Sequence, residues 1–354
     1  MSRRRVLIMG FGVTGQAVAR AVLAAGDEPV VFDDAPAAGS AEAARLGVAV
    51  APVPGGRDLD ATLSDAGLLV PSPGVPVGHP LLVAAARAGV PVRSEVELAA
   101  DIASRPGGPR VAAVTGTNGK TTVTTLATAM LELSGIPAVA AGNIGVPMVE
   151  AAGSGVDVVV AEVSSFQLQF TERFHPLVSC WLNFAPDHLD WHPSLEHYAA
   201  AKARVWANQG TGDTAVVNAD DAAVCAAAEE SVPAGVTVVR YSLRQEAGFR
   251  LDGDRLVGPA GPLIDVSRLP RALPHDLANS LAAAAVALAA GATTDGCAAA
   301  LEATGPLPHR VSLVGCYEGI SWYDDSKATT PDSVLAAVAG FKSVVLIAGG
   351  RNKG

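Results

Sequence analysis

Short apolar runs alternate with Ala-rich stretches from the start of the chain, the rhythm of strands and covering helices in an α/β fold. Residues 6–9, 29–32, 67–70 and 90–92 predict strands and 15–25 and 80–88 predict helices, together an α/β domain with a largely parallel sheet. The Pro- and Gly-rich run at 105–109 interrupts this rhythm and marks a first boundary. Beyond it, 111–133 reads as strand, glycine loop and helix, 156–161 and 215–218 as strands, and 194–208 and 279–290 as helices. Residues 235–241 and 249–264 read as β-hairpin material. A second break at 305–308 precedes strands at 311–314, near 320–323 and at 343–348, with a helix at 331–339. These last residues, about 45 in number, supply too few elements for a complete doubly wound domain. The expected units are 1–104, 105–305 and an incomplete 306–354, the last domain being read as cut short.

Composition narrows the classes. Of 354 residues, 49% are apolar and 17% charged, enough to bury real cores and too apolar for a disordered chain. Lys and Arg number 25 against 35 Asp and Glu, and the net charge of −10 offers no footprint for nucleic acid or an anionic membrane. Anionic ligands therefore need local sites. Cys180, Cys225, Cys297 and Cys316 are far apart and form neither metal spacing nor a disulfide framework, which fits reduced thiols in the cytoplasm. The apolar run 6–9 is too short for a signal-peptide core and the Ala-rich run 281–292 too short to span a bilayer, so no stable membrane contact is expected.

Two glycine loops carry the candidate chemistry. Gly10, Gly12 and Gly15 follow a strand and open a helix, and Asp33-Asp34 ends the next strand, a dinucleotide-type pattern. A nicotinamide or flavin, another nucleotide-like ligand, and purely structural glycines all remain open for it. Ser72-Pro73-Gly74 makes a tight turn suited to gripping phosphate or sugar. The second loop, Gly116-Thr117-Asn118-Gly119-Lys120-Thr121-Thr122, departs from the usual eight-position pattern because Val114 stands where a glycine is expected. Its backbone N–H groups and the helix N-terminus still suit the β- and γ-phosphates, Lys120 neutralises them, and the Thr121 hydroxyl suits Mg²⁺. Glu162, at the carboxyl end of an apolar strand, is the matching Mg²⁺ ligand, and Gly142-Asn143-Ile144-Gly145 suits a substrate contact. Asp187-His188-Leu189-Asp190 concentrates acids and histidine, with His188 the candidate for a metal or substrate shell. Leu195, Tyr198, Lys202 and Val205 share a helical stripe. A lysine there either snorkels or, with a depressed pKa, reacts with CO₂ to become a carbamate ligand for a second Mg²⁺.

Taken together these segments resemble the Mur ligases, the ATP-dependent amide-forming enzymes of peptidoglycan synthesis, and within them the branch that adds D-glutamate. The resemblance rests on Gly10–Gly15, Ser72–Gly74, Gly116–Thr121, Glu162 with 164–168, Asp187–Asp190, 200–204, 307–310 and Asp325-Ser326-Lys327-Ala328-Thr329, and spans the chain. The last element separates this branch from its relatives. The resemblance implies a Rossmann-like N-terminal domain for a UDP substrate, a central P-loop ATPase-like α/β domain, and the start of a third, Rossmann-like domain. It implies no dinucleotide at the first loop: Val13, Thr14, Asp33 and Asp34 would lie near uracil and diphosphate. Ser72, Gly74, Asn143, Ser164, Lys327 and Thr329 would contact substrate, and Asn279, Arg310 and Asp325 would join the second loop around ATP. Lys120, Glu162, His188 and Lys202 would be catalytic, with two Mg²⁺ held by Thr121, Glu162, His188 and N6-carboxylated Lys202. The implied substrates are UDP-N-acetylmuramoyl-L-alanine and D-glutamate, joined through an acyl phosphate by a cytoplasmic monomer that binds no nucleic acid. An inactive fragment that keeps substrate binding, and a ligase for another amino acid such as L-glutamate, are the alternatives. Asp276 stands where the family has an adenine-contacting Asn, Thr330 where it has Asn, Trp191 where an Arg is expected, and Gln169 where an acid is common.

Overall fold

Val6, Leu7, Ile8 and Met9 are all apolar and all buried, which requires a strand covered on both faces. The computed structural model, which describes residues 3–35 and 40–350, places them in β1 (Arg5–Met9). There follow α1 (Val13–Ala24), β2 (Glu28–Phe32), α2 (Ser40–Leu46), β3 (Val50–Ala51), α3 (Arg57–Ser64), β4 (Leu68–Pro71), α4 (Pro80–Ala88) and α5 (Glu95–Ala103). The four strands form a parallel sheet in the order β3-β2-β1-β4. Val6 and Ile8 pack under α1 on one face, and Leu7 and Met9 pack with Leu81, Leu82 and Ala85 of α4 on the other. The strand expected at 90–92 is reduced to a single bridge between Leu69 and Val92.

The second sheet begins with β5 (Arg110–Thr115), α6 (Lys120–Leu133), β6 (Ala138–Gly142), α7 (Met148–Ala151), β7 (Val158–Glu162), α8 (Ser165–Gln169), β8 (Val178–Trp181) and α9 (Leu195–Ala203). It continues with β9 (Thr214–Asn218), α10 (Ala222–Ser231), β10 (Thr237–Ser242), β11 (Phe249–Asp252), β12 (Arg255–Gly258), β13 (Gly261–Asp265), α11 (Pro274–Ala289) and α12 (Thr294–Ala303). Nine strands run in the order β13-β12-β11-β10-β9-β8-β5-β7-β6. Val158 and Val160 face the core under α6 and α11, while Val159 and Ala161 face α5 and α7. The Ala-rich run is the buried middle of α11, and no helix among the described residues is long and apolar enough to cross a membrane.

Two expectations are corrected. Residues 235–241 are not half of a hairpin, because β10 lies parallel to β9 along five residue pairs and touches β11, also parallel, only at Tyr241 and Ser242. Hairpins start one strand later, with β11-β12-β13 antiparallel. The strand expected at 343–348 is irregular backbone with Val344, Val345, Leu346 and Ile347 exposed, since no neighbouring strand offers it a ladder. What precedes it is an antiparallel pair, β14 (Ser312–Tyr317) and β15 (Ile320–Asp324), and α13 (Pro331–Val338), capped by Thr330.

The two large sheets are fastened by buried carboxylates at the start of α5. Glu97 accepts from the backbone N–H groups of Glu172, Arg173 and Phe174 at 2.9, 2.8 and 3.1 Å. Glu95 accepts from the Val149 N–H of α7 at 2.6 Å, and Arg20 of α1 donates to Glu150 on the same helix at 2.8 Å. The second oxygen of Glu95 has no partner among the described residues. Burial, aided by nearby Glu150 and opposed by the Val149 N–H, pushes the Glu95 carboxyl from 4.5 up to about 7. The folded chain thus keeps a proton that the unfolded chain loses near 4.5, so this group's contribution to stability falls as pH rises between those values. Glu95→Gln keeps an acceptor for Val149 and removes the ionisation. Between pH 4.5 and 8 the stability of the variant should therefore gain on the parent by up to roughly 3 kcal/mol in urea unfolding. A difference independent of pH would refute this account.

Candidate active site

Glycine is required at two positions of the second loop. Gly119 caps α6 in the left-handed region (φ 85°), and a Cβ there would lie 2.6 Å from Asn279 Oδ1 of α11. Gly116 (φ 150°) leaves room for Leu182. Asn183, just past β8, binds the loop from the neighbouring strand end, accepting from the Thr117 and Asn118 N–H groups at 3.1 and 2.8 Å and donating to Asn118 O at 3.0 Å. Thr117 Oγ1 also meets the buried Tyr198 hydroxyl at 3.3 Å. Asn118, Gly119 and Thr122 then wall a cavity of about 530 Å³ completed by Asn279, Arg310 and Asp325, a volume in the range of small-molecule sites.

Lys120 folds back onto the loop and donates to Gly116 O at 2.8 Å and Thr117 O at 2.9 Å. Lys202 reaches the same Gly116 carbonyl at 2.8 Å from α9, with its ammonium 4.6 Å from the Tyr198 ring centroid. It is 1% exposed, so it does not snorkel. Burial first, and Lys120 second, hold its pKa well below the usual lysine range, and burial likewise lowers Lys120.

Thr121 donates to Glu162 Oε2 at 2.8 Å, and Asn143 Nδ2 donates to Glu162 Oε1 at 2.9 Å. Among the described residues no group of three His, Cys, Asp or Glu side chains is arranged to hold a metal ion. Mg²⁺ does not need one, since it keeps several waters and takes one or two carboxylates plus substrate phosphates. Glu162 with the Thr121 hydroxyl fits that donor set. His188 has a left-handed backbone (φ 55°), and its ring packs tilted against Phe166 with centroids 4.7 Å apart and lies 3.4 Å from Asp187 Oδ2. Ser164 is engaged as the cap of α8, accepting from Gln167 N.

In the first unit, α1 begins at Gly12 with no side-chain cap and Val13 is 68% exposed, which leaves that helix end open. Asp33 does not face the opening: its carboxylate accepts from the Phe11 and Ala35 N–H groups at 2.6 and 2.8 Å and shapes the loop. Thr14 lies in the first turn of α1, and Asp34 follows β2 on the surface. Ser72 Oγ donates to Gly10 O at 3.3 Å, and a Cβ on Gly10 would meet that hydroxyl at 2.7 Å. Gly74 borders open space.

Across the second junction Arg310 donates to Thr121 Oγ1 at 3.3 Å, and Asp325 accepts from Val311 N at 3.1 Å. Lys327 and Thr329 are exposed, outside the phosphate-loop cluster. His309 and Val311 both have positive φ, 62° and 50°. Asp276 holds Arg271 through two bonds of 2.7 and 2.6 Å, and Arg271 in turn donates to the Arg310 and Val311 carbonyls at 2.8 and 2.7 Å. The acid at position 276 therefore serves the linker between units.

A nucleotide-type loop, an acid across from its threonine and a second, separate glycine loop define an α/β ligase fold, and sequence comparison agrees. Residues 114–287 match the Mur ligase middle domain and residues 4–94 match the Mur ligase MurD-like N-terminal domain. The chain belongs to the Mur ligase family. It is 44% identical to the UDP-N-acetylmuramoylalanine–D-glutamate ligase of Frankia casuarinae, over 99% of this chain and 74% of the relative. Against the enzyme of the same description from Shouchella clausii it is 39% identical, over 99% and 77%. Among solved structures, the UDP-N-acetylmuramate:L-alanyl-gamma-D-glutamyl-meso-diaminopimelate ligase of Neisseria meningitides shares the fold with a TM-score of 0.60 at 18% identity, over 86% of this chain and 99% of that one. The UDP-N-acetylmuramate-alanine ligase of Thermotoga maritima gives 0.57 at 20%, over 97% and 79%. The three-domain α/β architecture of the family is thereby established for the chain.

Sequence reasoning missed Arg271, whose partners are 39 and 40 residues away and leave no local pattern. Asp276 had a signal, an acid two residues after the first-turn Pro274, where it accepts from Leu273 N at 3.1 Å. Asp276→Ala strands a half-buried guanidinium and loosens both linker carbonyls. It should lower unfolding free energy by about 2 kcal/mol in urea titration, with Asp276→Asn losing less. No loss in the alanine variant would show that the clamp is idle.

Proposed function

We propose that this chain joins D-glutamate to UDP-N-acetylmuramoyl-L-alanine with cleavage of ATP to ADP and phosphate. The observation that carries the reading is the convergence of Lys120 and Lys202 on one loop carbonyl beside Glu162 and Thr121. The hydrogen bonds of the half-buried Lys120 and the buried Lys202 there go only to neutral loop oxygens, which leaves both ammonium groups available to an anionic ligand, and the relatives of 44% and 39% identity name the reaction that supplies one. Residues 1–104 serve the UDP substrate, 105–305 the nucleotide, and 306–354 supply Arg310, Asp325, Lys327 and Thr329.

In this reading the loop N–H groups and Lys120 hold the β- and γ-phosphates, with Asn279 and the cavity walls around the base. The alanyl carboxylate attacks the γ-phosphorus and ADP departs. The amine of D-glutamate then attacks the acyl phosphate, and the tetrahedral adduct collapses to amide and phosphate. Mg²⁺, when bound, supplies the positive charge that lets two anions approach each other. Glu162 and Thr121 would hold one ion, and His188 with N6-carboxylated Lys202 a second. Asn143 orients Glu162, and the Asn183 side chain holds the loop at Thr117 and Asn118.

Phosphate release by the purified chain should require ATP, UDP-N-acetylmuramoyl-L-alanine and D-glutamate together, with L-glutamate ineffective. Lys120→Ala should lower turnover by about a hundredfold or more. Lys202→Ala should fall comparably and recover in part with millimolar acetate, which stands in for the carbamate. Phosphate release without the UDP substrate, or equal use of L-glutamate, would overturn the reading, and Lys202→Ala at the parent rate would remove the carbamate from it.

A further inference from the structure

We propose that Trp191 is a positioning residue for the UDP substrate, its indole N–H fastening the first-unit turn at 72–75 to the loop that carries His188. The inference rests on the functional reading above and adds a residue to it. Trp191 Nε1 donates to Val75 O at 2.9 Å, across 116 residues of sequence. On the Val75 side, Val75 N donates to Ser72 O at 3.0 Å, Ser72 N to Met9 O at 2.8 Å and Ser72 Oγ to Gly10 O. The turn is thus continuous with the first glycine loop.

On the other side, the backbone N–H groups of Trp191 and His192 both donate to His188 O, at 3.0 and 2.8 Å, and close the turn that puts His188 in its left-handed conformation. The Phe166 ring packs tilted against His188 at 4.7 Å and against Trp191 at 4.5 Å, and Phe170 lies edge-on to Trp191 at 6.5 Å. One rigid side chain thereby spans from the turn suited to phosphate or sugar to the loop of His188, whose ring lies edge-on to Tyr198 at 6.1 Å, the residue whose hydroxyl meets Thr117 of the phosphate loop. Glu95, Glu97 and Arg20 also cross this junction, but they bond α7 and residues 172–174, which carry no candidate substrate residue. An indole suits the task because it offers one directed donor and loses little rotamer freedom on docking. A guanidinium at this position would bring five donors and a charge instead.

Trp191→Phe keeps an aromatic ring against Phe166 and removes the donor. The affinity of the chain for UDP-N-acetylmuramoyl-L-alanine, read by calorimetry, should fall about fivefold, the weight of one neutral hydrogen bond, while Mg–ATP affinity stays within about twofold. Titration of the UDP substrate into the parent should change tryptophan emission and shield it from acrylamide. That signal should vanish in Trp191→Phe although Trp181, Trp206 and Trp322 remain. Equal affinity in parent and variant, or an emission change that survives the substitution, overturns the inference while leaving the functional reading intact. A parent that does not bind the UDP substrate at all overturns both. If the variant does not fold, the parent decides alone: no emission change and no shielding on saturation with the UDP substrate refutes the role.

Discussion

Three elements of the nucleotide end meet at the Glu162 carboxylate. One oxygen takes the Thr121 hydroxyl from the first turn of α6 and the other takes the Asn143 amide from the loop after β6, while Glu162 itself ends β7. Its backbone oxygen accepts from Asn143 N, and Gly142 has no side chain because a Cβ would lie 2.3 Å from that same oxygen. Three adjacent strands, β5, β7 and β6, therefore end in register around one acid. A carboxylate 2% exposed could not persist there without donors on both oxygens, so the site and the sheet edge are solved by the same bonds.

The glycine loops were legible because their chemistry is local: a strand, a left-handed glycine and a helix start lie within ten residues. Lys202 was legible as an anomaly, a cation on the apolar stripe of α9, though only the fold shows that it ends on Gly116. The roles of Asn183, Arg271, Glu97 and Trp191 were not, for each acts on backbone that only sheet order and unit packing bring near. The two strand errors share a cause. Apolar β-branched runs such as 343–348 and 235–241 announce strand preference, but direction and existence depend on which backbone edge is free to pair. Asp33 shows the converse: an acid at the expected spacing, spent on the loop's own N–H groups.

Charge is handled locally in this chain. The overall balance of −10 repels anionic ligands at a distance, yet Lys120 and Lys202 meet at Gly116 O and Arg310 reaches Thr121, all on the one loop. Burial lowers the pKa of both lysines, and an anion arriving beside them would act in the opposite direction and favour their charged forms.

The linker at 309–311 has a further consequence. Val311 is β-branched and sits at φ 50°, a conformation costing on the order of 1–3 kcal/mol that persists only where the surroundings impose it. Here the imposition comes from Arg271, gripping the carbonyls of Arg310 and Val311, and from Asp325, gripping the Val311 N–H. Such a joint resembles a cocked spring more than a flexible tether. When those few bonds part, the backbone at Val311 is free to relax toward extended geometry, and that relief offsets part of what breaking them costs.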